Sequence, residues 1–246
     1  MWDDTFQQYA AAIDQLAAEL LQSAAIRRPP VDAFAVAQAL GVTVAIDANQ
    51  RVRARYVRLQ GHRQQSARPT ILLRPDPRAE RRQWAVAHEI GEHVAHRVFR
   101  LLGVDPEEIS PRLREQVACQ FAGRLLVPDQ WLRRDGAVCR WNLLRLKSRY
   151  CTASHELIAR RMLECSPPVI ITVFDHGQVS WRRANLPGRV PGLSPLEARV
   201  WRRVHNSNRP ARKSKDHLHV QCWPVHEDGW RREILRTEVD YDDSWQ

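Results

Sequence analysis

Apolar residues recur every three to four positions through residues 5–26, a stretch rich in Ala, Leu and Gln that closes at Arg27-Arg28-Pro29-Pro30. That spacing lines the apolar side chains along one stripe of a helix. A shorter helix is predicted over 32–40, with Gly41 as its C-terminal stop. The period then changes. Residues 42–46, 54–59 and 70–73 read as three strands, the middle one alternating in a half-buried way. From Ala79 to Arg100 the helical period returns, carried by Trp84, Ala87, Val94, Ala95, Val98 and Phe99 among charged residues. Gly91 inside that helix costs about 1 kcal/mol relative to Ala, a cost that makes sense where another group must approach the backbone closely. Ser110-Pro111 supplies a capping hydroxyl and a proline at the first helical position. The helix it starts runs to Pro128, with Phe121 and Leu125 at core spacing.

Two more helices are predicted over 141–150 and 153–164, and Pro167-Pro168 closes this part of the chain. Residues 169–174, the turn Asp175-His176-Gly177-Gln178 and residues 179–183 form a hairpin signal. A helix over 195–205 follows, then a polar stretch over 206–216 that reads as a mobile loop. Residues 217–224 and 230–239 read as a second strand pair. The predicted class is α+β: a domain over 1–165 with helices packed on a small three-stranded sheet, and an appended α+β unit with a hairpin over 166–246.

Composition narrows the setting. No apolar run reaches membrane-spanning length, and the acidic start Met1-Trp2-Asp3-Asp4 lacks the basic-then-apolar order of a secretory signal. A cytoplasmic protein without membrane contact is expected. The five cysteines are scattered, without a CxxC pair, so neither a disulfide framework nor a thiolate zinc site is indicated. The net charge of +10 is mostly arginine and suits an acidic partner or nucleic acid. No helix-turn-helix, zinc-finger or RNA-binding signature accompanies it, so direct nucleic-acid binding is not expected. His217, His219 and His226 read as exposed strand histidines rather than a second metal site.

The chemistry concentrates in His88-Glu89-Ile90-Gly91-Glu92-His93. In the metal helix of a zinc peptidase, a His and a second ligand four residues later share one face, and the Glu after the first His is the general base. At about 100° per residue, Glu92 lies roughly 40° around the helix from His88 and His93 roughly 140°. Glu92 is therefore the expected second ligand, and His93 sits beside the site, placed to stabilise an oxyanion. Two other His-Glu pairs lack a ligand at the fourth step, where Ala159 and Trp230 stand.

Together with Glu115, Ala118, Phe121, Ala122, Leu125, Leu126 and Pro128 in the next helix, this segment resembles the ImmA/IrrE family of metallopeptidases. Residues 31–44 resemble that family's entry helix and first strand, and the likeness covers roughly residues 10–165. The resemblance implies a zincin-like core, His88 and Glu115 as metal ligands and Glu89 as general base. This chain departs from the pattern twice, with Glu92 at the family's second His and Cys119 at its Asn. The expected cofactor is one Zn2+, although two carboxylates and an imidazole also suit Mn2+ or Fe2+. The implied activity is endopeptidase cleavage of a protein substrate, a DNA-binding helix-turn-helix repressor. A non-catalytic member that regulates by binding a partner is the alternative.

Overall fold

The computed structural model describes residues 4–59, 68–227 and 229–240; residues 1–3 of the acidic start lie outside the described residues. The chain divides into two compact units, the first of residues 2–131 and 149–154, the second of 132–148 and 155–246. Compactness thus divides the chain on either side of the 149–154 segment, whereas the sequence pattern suggests 165/166.

In the first unit, helix α1 (Asp4–Ser23) buries Ile13, Leu16, Ala17, Leu20 and Leu21. It packs on two later helices, α3 (Ala79–Leu101) and α4 (Pro111–Leu126). Two ion pairs fix it there, Asp14 with the buried Arg124 of α4 and Glu19 with Arg97 of α3 at 2.8 Å. Helix α2 (Ala33–Ala39) starts at Asp32, whose side chain accepts from Phe34 N at 3.0 Å, and stops at Gly41 with φ +70°. Strands β1 (Thr43–Ile46), β2 (Ala54–Leu59) and β3 (Arg68–Leu73) form a sheet in the order β1-β3-β2. β1 runs parallel to β3 and β2 antiparallel to it, which leaves β2 as an edge. The apolar face of α3, including Val86, Ala87, Ile90, Val94 and Val98, is wholly buried. Ser110 caps α4 as its sequence suggests, accepting from Leu113 N at 3.3 Å.

The second unit contains a helix that the pattern misses, α5 (Asp129–Cys139), which begins in the first unit and continues into the second. Its buried side is Leu132, Asp135, Gly136 and Cys139, a stripe obscured by the charged run Arg133-Arg134-Asp135. Gly136 is required there: a Cβ would stand 2.5 Å from the Trp141 ring. Helices α6 (Leu143–Arg149) and α7 (His155–Cys165) follow. Strands β4 (Val169–Asp175), β5 (Gln178–Ala184), β6 (Ala211–Lys215), β7 (Leu218–Pro224) and β8 (Arg232–Val239) form an antiparallel sheet in the order β5-β4-β8-β7-β6. β6 replaces part of the expected mobile loop. A ladder needs only backbone, and the exposed Arg212, Lys213 and Lys215 suit an edge strand because their charge discourages further pairing.

Helix α8 (Pro195–Ser207) covers one face of this sheet through Leu196, Val200 and Val204, with Trp201 stacked on Phe174 at 4.6 Å. Its N-terminal capping box uses Glu197, and the same buried carboxylate pairs with Arg182 at 3.1 Å and accepts from Thr237 at 2.6 Å. His219 bonds Ser214 and Asp240, and Nδ1 of His226 accepts from Arg232 N.

Arg232 ties three elements of the unit together. It donates to Glu156 of α7 at 2.6 Å and to both oxygens of Asp175 at 2.6 and 2.8 Å. Burial alone would raise Glu156, but bonds from Arg160 and Trp181 and the charges of Arg232 and Arg160 outweigh it and hold its carboxyl below the ordinary value of 4.5. Asp175 is held below 3.8 by the Arg232 bonds, opposed by burial and helped by the Trp230 N–H. Groups lowered on folding add stability above their unfolded pKa and lose it as pH falls through the folded value. Stability at pH 7 should therefore fall on acidification below about 4.5. Arg232→Ala should cost about 2 kcal/mol at pH 7 and reduce that acid-dependent loss, as read from urea unfolding at a series of pH values.

Candidate metal centre

The close packing of α3 on α4 sets the site. A Cβ added to Gly91 would meet both the Cα and the carbonyl oxygen of Ala118 at 2.9 Å, closer than real Cβ contacts. Backbone of α4 thus occupies the space that any other residue at 91 would need. This is the close approach that a glycine within a helix suggests. It brings the N-terminal half of α4 beside His88.

There the His88 imidazole faces α4. Its Nε2 lies 3.4 Å from Glu115 Oε2, and its Nδ1 lies 3.7 Å from Cys119 Sγ. The thiol in turn donates to Glu115 Oε1 at 3.5 Å. Among the described residues, the donor atoms that converge to within 4.8 Å of one another belong to His88, Glu115 and Cys119. Glu92, the expected second ligand, is outside that group, but it lines the same cavity and feels the charges of both His88 and Glu115.

Glu89 and His93 turn toward β2 instead. Glu89 Oε2 accepts from Tyr56 N at 2.7 Å, and the His93 ring lies 4.9 Å from the Tyr56 ring at an interplanar angle of 36°. Two adjacent i, i+4 stripes of one helix therefore serve two walls. His88 and Glu92 look to α4, Glu89 and His93 to the edge strand. Between them opens a cavity of about 460 Å³, rimmed also by Arg55, Arg58, His96 and Arg114.

Electrostatics follow from that shape. Burial raises Glu89, opposed by the Tyr56 N–H and the His88 charge and reinforced by Glu92 and Glu115. Burial also raises Glu92, against His88 and with Glu115. His93 is lowered by burial and then by His96 and Arg58, which favours its neutral form. Cys119 is pushed up to about 11 by burial and the Glu115 charge. Three carboxylates and three imidazoles thus line one cleft, with the Cys119 thiol beside His88 and Glu115, a donor set that fits a divalent cation. A cation would relieve the repulsion that lifts Glu89 and Glu92.

The site holds one residue that the sequence pattern passes over as a donor. Cys119 stands four positions after Glu115, so both lie on one face of α4. That spacing is legible in the chain. The partner role of Tyr56 is not, because it uses a backbone N–H. Tyr150, which follows the third expected ligand in the chain, is fully buried.

A family model described as the IrrE N-terminal-like domain, a peptidase family, matches residues 37–162. Among solved structures, a Mycobacterium tuberculosis transcriptional regulator is similar at a TM-score of 0.67 and 18% identity, over 92% of this chain and 75% of that one. No curated protein matches the chain. Among the described residues, no helix is long and apolar enough to cross a membrane.

Gly91→Ala gives a test of the helix contact with an informative sign. In an open helix the change would stabilise by about 1 kcal/mol. Here the overpacking against Ala118 should dominate and destabilise the chain by about 1–2 kcal/mol, measured as a lower urea midpoint.

Proposed function

The chain belongs to the IrrE N-terminal-like domain family, and on that premise we propose that it is a metal-dependent endopeptidase. The observation that carries this reading is the facing of His88 on α3 and Glu115 on α4, 3.4 Å apart, with Glu89 beside them on the cleft wall. His88, Glu92 and Glu115 would hold a single Zn2+, with Mn2+ and Fe2+ as the other candidates for a carboxylate-rich set. When bound, the metal supplies Lewis acidity toward water and the scissile carbonyl.

The protein's own groups do the remaining work. Glu89, raised by burial and neighbouring carboxylates, would take a proton from the attacking water and return it to the leaving amine. Neutral His93, braced against the Tyr56 ring, donates to the developing oxyanion. β2 lies along the cleft as an edge strand, and an extended peptide can pair with such an edge. The substrate is then a protein segment, which we assign to a DNA-bound helix-turn-helix repressor in the cytoplasm. The solved relative that is titled a transcriptional regulator also favours a second reading, in which the chain keeps the fold and regulates by binding a partner.

Glu89→Gln separates the two. As an enzyme, the variant should keep its metal and lose about 10²- to 10⁴-fold in kcat on a helix-turn-helix repressor substrate. Unchanged behaviour in Glu89→Gln would leave the binding role. Metal content of purified protein supplies the companion test. It should be stoichiometric in the wild type and in His93→Ala, and lost in His88→Ala, Glu92→Ala and Glu115→Ala.

A further inference from the structure

One side chain of the donor cluster has no part in that reaction. Cys119 lies one turn beyond Glu115 on the face of α4 that looks at His88. Its Sγ is 3.5 Å from Glu115 Oε1 and 3.7 Å from His88 Nδ1, while the His88–Glu115 separation is 3.4 Å. A tetrahedral zinc ion with bonds of about 2.0–2.3 Å spaces its N, O and S donors about 3.3–3.6 Å apart. The Cys119–Glu115 separation already falls in that range, while the two distances to His88 reach different ring nitrogens. Glu115 faces Nε2 of the ring and Cys119 faces Nδ1, yet one donor atom from each residue lies within 4.8 Å of the others. Packing alone does not call for a thiol here. Cys119 is half-buried and turned to polar atoms, whereas its neighbours Ala118 and Ala122 face the core.

We propose that Cys119 Sγ is a direct ligand of the bound metal, so that the centre contains a thiolate and selects Zn2+ over Mn2+. The inference rests on the reading that this cleft binds a metal, and it gives Cys119 the ligand place assigned above to Glu92, which lies outside the converging donors, so that the fourth position stays open for water. Coordination exchanges the S–H bond for a sulfur–metal bond and releases the proton to water. Thiolate is a soft donor that favours zinc and cobalt, whereas Mn2+ prefers oxygen, so the residue at 119 resolves the ambiguity of a carboxylate-rich set.

Cobalt substitution tests the ligand without relying on activity. Full-length protein stripped by chelator and reloaded with Co2+ should bind one ion and show a near-ultraviolet thiolate-to-cobalt charge-transfer band. Cys119→Ser and Cys119→Asn should lose the band with unchanged circular dichroism. Their preference for Zn2+ over Mn2+ in competition should fall on the order of tenfold or more. Bound Co2+ without the band in the wild type would overturn the thiolate ligand and leave the metallopeptidase reading intact. A band that persists in both variants would assign it to another cysteine and overturn the proposal equally. No bound Co2+ at all would overturn both readings.

Discussion

The contact between Gly91 and Ala118 is the constraint on which the rest of the centre depends. Helices normally keep their axes 8–10 Å apart because side chains stand between them. At this crossing one side chain is missing, and the α4 backbone moves into its place. His88 lies one turn before Gly91, and Glu115 one turn before Ala118. Close approach at the crossing therefore brings His88 and Glu115 to 3.4 Å. The helix-propensity penalty of the glycine is the local cost of a long-range placement, and the buried stripe of α3 offsets it.

The same helix faces two different walls by its pitch. Residues 88 and 92 share one stripe and 89 and 93 the next, roughly 100° around. The first stripe meets acidic and thiol donors on α4, and the second meets the edge of a sheet. Glu89 is thus adjacent in sequence to His88 yet bonded to Tyr56 of β2. Such a division holds one carboxyl, Glu89, against the strand while another, Glu115, stands with the imidazole. Two carboxyls on the same stripe would compete for one role.

Much of this was legible in the chain, for reasons that can be named. The helix at 79–101 and the cap at Ser110 are local features, written in period and in capping chemistry, and the structure has both. The α+β class and the family membership were legible too, from two helices whose residues are spaced by function as well as by packing. What local pattern could not carry was contact across elements. α5 was hidden because its inward side includes Asp135 and Gly136, residues that look exposed until Trp141 is placed against them. β6 was hidden because its stability lies in backbone pairing, with little apolar burial to mark it. Cys119 was visible at the right spacing from Glu115, but its role depends on where α3 crosses α4.

Glu89 shows how finely such a site is balanced. Burial between α3 and β2 pushes its carboxyl up, and the carboxylates Glu92 and Glu115 push in the same direction. The Tyr56 amide pulls it down by bonding the charged form, as does His88. Burial favours the protonated form of the carboxyl, whereas the amide favours the charged one. The edge position of β2 supplies that opposing amide, because only an unpaired strand has a backbone N–H free to offer. The unpaired edge of the sheet thus supplies the amide that offsets part of the effect of burial on Glu89.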